Sequence, residues 1–549
     1  MNLKKITLTL LLLSGTVLAG EWFPEQKPAQ EYRIIQCPEA EEFICGSALQ
    51  GLVAKAVNTG TLAELLATSP RGAIEEEWIS RTEQRTGAPL RETLSLMEAV
   101  ERYRPLIKGY ILYRADKSEG DNYQLRDDID CSVNIATMMA GRLDALPVSE
   151  TQEPAFKAMG FDNLFDARGV SLSGFQKKGS RKLNPVVTGS LDPRAGNLRD
   201  LAVAHQLPIY FGSEEADTIA RCMDAPFMIL GWGAGDEFKH VAPASRQGGI
   251  ETVSNWTRNL SFLSAGANSY QPKKIKPFDL STIDWNDTRR TVSFMLSDGD
   301  NTGWILNNFW KKPYYGSPRT GDFPMGFSAA LAQMAQMAPV VLDKLTETQP
   351  DNISLIEFSG GYFYPDLFAE ERSNREEILR TYAQQLNTQM KKTGARLLCF
   401  IVKDSASREA QKAYQIFAEE LETLDGMLVI DYAPYHKGLG KIYWVEKTDG
   451  IEIPAVTANF CMWENMNRPH AGSPERVADF IQNDAVPHSW TAVHAWSNHE
   501  GKRGPDAVAA CIDKLPEGLH VITPEEMVWR IRMAHNPKQT RSFIQKAFK

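Results

Sequence analysis

The sequence has little of what marks most binding and catalytic classes. Among its 549 residues are seven cysteines, scattered at Cys37, Cys45, Cys131, Cys222, Cys399, Cys461 and Cys511, with no CxxC pair and no cysteine–histidine zinc spacing. An odd count excludes complete pairing, and only Cys37 and Cys45 stand close enough to suggest a local bridge. There is no Walker loop, no GxGxxG after a strand and no HExxH. Ser171-Leu172-Ser173-Gly174 lacks the first glycine of a nucleophile elbow, which leaves serine-hydrolase chemistry unsupported. No lysine- or arginine-rich block interrupts a chain of formal charge −9, a balance that argues against nucleic acid as a partner and suits a neutral polysaccharide better than a polyanion.

Long apolar runs are also missing beyond the start. Lys4 and Lys5 precede the apolar stretch Ile6 to Leu13, and Val17-Leu18-Ala19 supplies small residues for cleavage, so residues 1–20 read as a secretory signal peptide. Its removal deletes two lysines and no acid, taking −9 to −11. Glu21 stands where a lipoprotein would carry its cysteine. No later run reaches the roughly 18 residues that span a bilayer. The expectation is a secreted or periplasmic protein with no membrane insertion after signal cleavage.

What is present is α/β alternation. Residues 21–270 predict an amino-terminal α/β domain, with Tyr32 to Ile35 and Ile107 to Tyr113 as strands and Ser132 to Arg142 as a helix. Residues 271–290 carry Pro272 and Pro277 without sustained periodicity and predict a linker. From 291 to 549 strands are expected near 291–297, 353–358, 396–402, 427–432, 452–460, 489–496 and 519–523. Amphipathic stretches at 329–345, 375–390, 408–424 and 474–481 lie between them, which predicts a (β/α) barrel-like carboxyl-terminal domain with about seven strands.

Parallel sheets carry their chemistry at the carboxyl ends of strands. Those ends read Ser297-Asp298-Gly299-Asp300-Asn301 with Trp304 behind, then Glu357 before a glycine-tyrosine turn, Lys403-Asp404, Asp431-Tyr432, Trp463-Glu464-Asn465 and His494-Ala495-Trp496. Asp404 and Asp366 suit helix caps. Glu357, ahead of two glycines, does not, and the tryptophans beside rim acids offer flat faces for sugar rings. Asp298 to Gly303 has the early spacing of a calcium loop, but its twelfth position is Phe309 and not glutamate, which argues against an EF-hand. An irregular metal site built from Asp298, Asp300 and a distant histidine stays open. In the amino-terminal half, Glu237 near Trp232 is the one suggestive polar-aromatic pair.

Ser359-Gly-Gly-Tyr-Phe-Tyr-Pro365 resembles the signature of the GxGYxYP family, glycoside hydrolases of exported bacterial proteins, with Ser359 in place of the first glycine. Ser297 to Asn301 resembles the first strand of that family's carboxyl-terminal domain, and Ile107 to Tyr113 with Ser132 to Ala136 resembles its amino-terminal domain. The resemblance implies an oligo- or polysaccharide substrate and cleavage of glycosidic bonds, and it carries no residue roles. The strand-end logic therefore supplies them. Asp300 and Glu357 are expected as the acid and the base or nucleophile, with Asp298 orienting or binding substrate. Tyr362, Tyr364, Trp304, Trp463, His494 and Trp496 are expected to bind sugar, and Asp431 and Glu464 are reserve acids. No cofactor or metal is predicted. Two other readings remain: a non-catalytic polysaccharide-binding protein, and a metal-dependent polysaccharide deacetylase or esterase.

Overall fold

A computed structural model describes residues 21–547 apart from 122–128, 173, 176–182, 266 and 268–270. The expected signal peptide lies outside the described residues. None of the helices among them is long and apolar enough to cross a membrane.

The amino-terminal half is built on three small sheets, all parallel, where the sequence suggests one domain. The first orders β1 (Glu31–Gln36), β2 (Glu64–Thr68) and β3 (Leu90–Ser95) as β2-β1-β3, and the second orders β4 (Tyr110–Tyr113), β5 (Leu146–Ser149) and β6 (Asn163–Asp166) as β5-β4-β6. The third contains β7 (Val187–Ser190), β8 (Ile209–Tyr210), β9 (Phe227–Gly231) and β10 (Gly249–Val253) in the order β10-β9-β7-β8. Strands β7, β9 and β10 are buried along their whole length. Both faces of these strands are therefore covered, as an apolar parallel sheet requires.

The carboxyl-terminal half is one eleven-stranded sheet. Its strands are β11 (Arg290–Leu296), β12 (Met325–Ala329), β13 (Ile353–Phe358), β14 (Leu397–Val402), β15 (Gly426–Asp431), β16 (Ile442–Glu446), β17 (Glu452–Thr457), β18 (Phe460–Met462), β19 (Ala471–Gly472), β20 (His488–Val493) and β21 (Leu519–Val521). The order is β16-β17-β15-β14-β13-β12-β11-β20-β18-β19, with β21 on β11. This corrects the expected barrel of about seven strands. The end strands β16 and β19 do not pair, so the sheet is open, and only β16 runs antiparallel to its neighbour. Strand β12, Met-Gly-Phe-Ser-Ala, was not among the expected strands and meets the amphipathic stretch 329–345 only at Ala329. Short buried strands of that kind lack a period that tells them from helix.

The crossover helices begin where the sequence supplies caps. Ser407 accepts from Ala410 N, Ser473 from Arg476 N and Thr523 from Glu526 N, and Gly394 closes the Arg375–Thr393 helix in the left-handed conformation. Each cap satisfies a terminal amide that would otherwise stay unpaired. Residues 271–290 are no free linker. Lys273 N donates to Asp343 at 2.8 Å and Lys276 N to Gln349 at 2.8 Å, and Ile275 is buried. All seven cysteines are free, including Cys37 and Cys45.

The two halves meet at the glycine-tyrosine turn. Glu251 of β10 and Tyr362 exchange backbone hydrogen bonds of 2.9 and 2.8 Å, so the turn extends the third sheet by one rung. Tyr364 N donates to Ser245 Oγ at 3.1 Å, and Ala369 N to Ser245 O at 2.8 Å. Ser359, in the first signature position, has φ 44°, and Gly361 has φ 140°. A Cβ on Gly361 would lie 2.6 Å from Ile250 Cγ2 and 2.7 Å from Glu251 O. Gly360 is closed in by the Trp22 ring and the Tyr382 hydroxyl, and Trp22 stacks on Tyr382 at 5.6 Å. Gly361→Ala combines a strained φ with a backbone clash, so it should cost about 2–4 kcal/mol. Thermal melting should show this as a clear drop in Tm, whereas an unchanged Tm would mean the turn can yield.

Candidate active site

The residues that follow β13 and β15 meet the first turn of the Glu237–Arg246 helix, through Tyr362 on Glu237 and Tyr432 on Phe238, and Asp236 caps that helix by accepting from Phe238 N and Lys239 N. Three acids gather there. Asp298 follows β11 at φ 66°, and its carboxylate accepts from Trp496 Nε1 at 2.9 Å, from Ala495 N at 3.3 Å and from the Ser297 hydroxyl. Asp300 is buried, with Asp298 and Glu237 as its charged neighbours, so burial and those two charges push its carboxyl well above the usual range. Glu237 receives the Tyr362 hydroxyl, and the Tyr362 and Tyr364 hydroxyls are 3.0 Å apart. Burial carries Glu237 up to about 7, with Asp298 and Asp236 adding to the rise and the Tyr362 hydroxyl opposing it. The Tyr435 ring completes the wall, 5.0 Å from Trp463, and Asp298, Glu237 and Asp300 all act on its hydroxyl.

Other acids chosen from the sequence face different partners. Glu357 is 0 % exposed; its carboxylate accepts from Ala332 N and Gly360 N, each at 2.8 Å. It therefore ties the start of the Leu331–Met337 helix to the motif turn, and Asp298, Asp300 and Glu237 are not among the charges acting on it. Asp431 is likewise buried, accepting from Ser405 N at 3.0 Å and Gly438 N at 2.9 Å. Asp366 accepts from Lys403 N and Asp404 N rather than capping its own helix. These carboxylates hold loops, because buried backbone amides need acceptors. Glu464 is exposed and accepts from Asn498 N.

The aromatic residues divide in the same way. Trp304 is fully buried, edge-on to Phe309 and Tyr314 at 4.9 Å each and 5.2 Å from Trp496, so it backs Trp496 and offers no sugar face. Tyr362 and Tyr364 are buried too. Their hydroxyls reach the carboxylates while their rings fill the core, which corrects the expectation of stacking surfaces. The accessible faces belong to Trp496, 38 % exposed, and to half-buried Trp463, which lies flat on His494 with ring centroids 4.0 Å apart. His494 Nδ1 pairs with Ser497 Oγ at 2.9 Å, and burial lowers its pKa against the pull of Asp298 and Glu464.

Sequence reading left Glu237 out of the site and did not single out Tyr435. Glu237 comes from another sheet, 61 residues before Asp298 in the chain, so no local spacing links it to the rim. The Glu237–Trp232 pair was the only signal. Among the described residues no group of three or more His, Cys, Asp or Glu side chains is arranged to hold a metal ion.

The fold and the site thus define a large α/β protein whose acids converge at the strand ends beneath an aromatic shoulder. Residues 289–532 match the "GxGYxYP putative glycoside hydrolase C-terminal domain", and residues 185–265, which span the third sheet, match the "GxGYxYP third domain". The chain belongs to the GxGYxYP family. Its fold is similar to that in a crystal structure described as "a putative hydrolase from Bacteroides thetaiotaomicron", with TM-score 0.78 and 20% identity over 93% of this chain and 96% of the other. A search of curated proteins gave no match.

The buried acids carry a pH signature. Glu237, Glu357 and Asp300 bind their protons more tightly in the folded chain than in the unfolded one. Their contribution is thus fully present below about pH 4 and is lost as the pH rises through about 7. Tm should fall between about pH 5 and pH 8, and Glu357→Gln should flatten that fall. A Tm that rises over this window would contradict the burial of these groups.

Proposed function

We propose that this protein hydrolyses glycosidic bonds of an oligo- or polysaccharide, with Glu237 as the acid and Asp298 as the carboxylate that activates water or attacks the anomeric carbon. The observation that carries this reading is the convergence of Glu237 and Asp298 in contrasting surroundings. Glu237 is held near 7 by burial, so it keeps a proton to donate to the leaving oxygen. Asp298 accepts from Trp496, Ala495 and Ser297, donors that complement a carboxylate. Divergent environments for neighbouring acids are the usual means of assigning donor and base roles. Asp300 lies buried beneath the pair, with both charges acting on it. Tyr362 orients Glu237, and Trp496 both fixes Asp298 and presents a ring to the sugar. Glu357, expected from sequence as half of the pair, becomes a positioning residue.

Export remains part of this reading, with cleavage before Glu21. Glu21 pairs with Lys392 and Gln389, and Trp22 N donates to Gln336 at 2.8 Å, so both residues have fixed places in the folded chain. Mass spectrometry of protein recovered from an exporting host should find Glu21 at the amino terminus. A retained leader would sink that point.

A panel of plant and microbial polysaccharides, assayed for released reducing ends, tests the activity. Glu237→Gln and Asp298→Asn should each lower turnover by about 10²–10⁴-fold while leaving the melting curve cooperative. The rate should decline as the pH rises through about 7, where Glu237 loses its proton. Glycan binding that persists in both variants, with no product from the parent protein, would favour a binding protein. Acetate release abolished by a chelator would favour a deacetylase.

A further inference from the structure

One buried acid of the third sheet has no place in this chemistry. Glu251 is 0 % exposed, and neither of its carboxyl oxygens has a hydrogen-bond partner among the described residues. An unsatisfied carboxylate at that depth costs several kcal/mol. The group beside it is His240, whose Nε2 lies 3.4 Å from Glu251 Oε1. His240 Nε2 also accepts from Gly233 N at 3.3 Å. Gly233 leaves room for this contact, since a Cβ there would lie 2.7 Å from the imidazole. Trp232 packs on the other side of the ring with centroids 4.8 Å apart, and Tyr210 lies at 6.5 Å. The remaining ionisable neighbour is the Tyr210 phenol, which Glu251 and burial hold well above its usual range.

The placement of the two residues links them to the site. His240 follows Glu237 by three positions on one helix, so the two lie on the same face, one turn apart. Glu251 is the residue whose backbone pairs with Tyr362, and the Tyr362 hydroxyl bonds Glu237. Both ends of the Glu237–Tyr362 contact therefore rest on the Glu251–His240 pair.

We propose that Glu251 is retained as a neutral carboxylic acid packed against His240, and that this pair is the positioning element that aims Glu237 at Asp298. An Nε2 that accepts from Gly233 carries no proton and offers Glu251 no donor, so a carboxyl that is 0 % exposed and without a hydrogen-bond partner among the described residues keeps its own proton. Burial favours the same state. The pair clamps the 237–246 helix to β10, and the proton costs no charge in the core. The inference rests on Glu237 being the acid of the proposed reaction, and its test is arranged to separate the two.

The experiment follows the carboxyl titration of Glu237 in substrate-free, ¹³C-glutamate-labelled full-length protein, assigned by difference from Glu237→Gln, alongside turnover on the polysaccharide the panel identifies. Glu251→Gln is the neutral isostere of the protonated acid beside His240 and should leave the midpoint near 7 and kcat within about twofold. Glu251→Leu and His240→Phe, which keep the volume and remove the contact, should each lower the midpoint by about one pH unit. They should cut kcat about tenfold with little change in KM. An unchanged midpoint in a folded Leu or Phe variant overturns the proposal, as does a Gln variant that behaves like Leu. If the parent cleaves nothing, the hydrolase reading fails, while the titration still decides whether the pair positions Glu237.

Discussion

The organisation of this protein depends on a single rung of backbone pairing between Glu251 and Tyr362. It makes the motif turn an edge of the third sheet, although the turn is launched from β13 of the large sheet. Close approach of two main chains leaves no room for a side chain, which is why Gly361 sits against Ile250 and the carbonyl of Glu251. With the turn fixed there, the Tyr362 hydroxyl has one position, and Glu237 must meet it. The signature that defines the family is thus a joint between domains as much as a wall of a site.

Burial assigns the acids their work. Glu357, Asp431 and Asp366 all follow or flank strand ends, as sequence reasoning required, but each is surrounded by amides of neighbouring loops and is consumed in holding them. Asp298 is only half-buried, and Asp300 and Glu237 face it and each other. Burial and neighbouring charge raise Asp300 and Glu237 above the usual carboxyl range, while Asp298 takes donors from Trp496, Ala495 and Ser297. A site of this kind stores its reactivity as unfavourable electrostatics, offset by the packing of Trp304, Phe309 and Tyr314 behind it.

The strands from β11 to β21 were largely legible, because apolar runs such as Ile353 to Phe358 and Leu397 to Val402 leave little choice in a parallel sheet. The four that escaped, β12, β16, β18 and β19, are short or lie at an edge, where pairing partners rather than side-chain pattern decide. Trp304, Tyr362 and Tyr364 show the same limit at the level of the site. Their placement after strand ends was readable, but the direction of each ring, inward to the core, depended on neighbours such as Trp496 and Tyr435 that lie elsewhere in the chain.

By itself the sequence determined the α/β class, the family signature and the location of Asp298 and Asp300 at a strand end, since each of these follows from local pattern. Only the tertiary structure decided that the sheet stays open, that Glu357 serves the backbone and that Glu237 joins the acids. Those outcomes turn on which groups meet across long chain separations and on how much water is left around them, and neither quantity is written in the local order of residues.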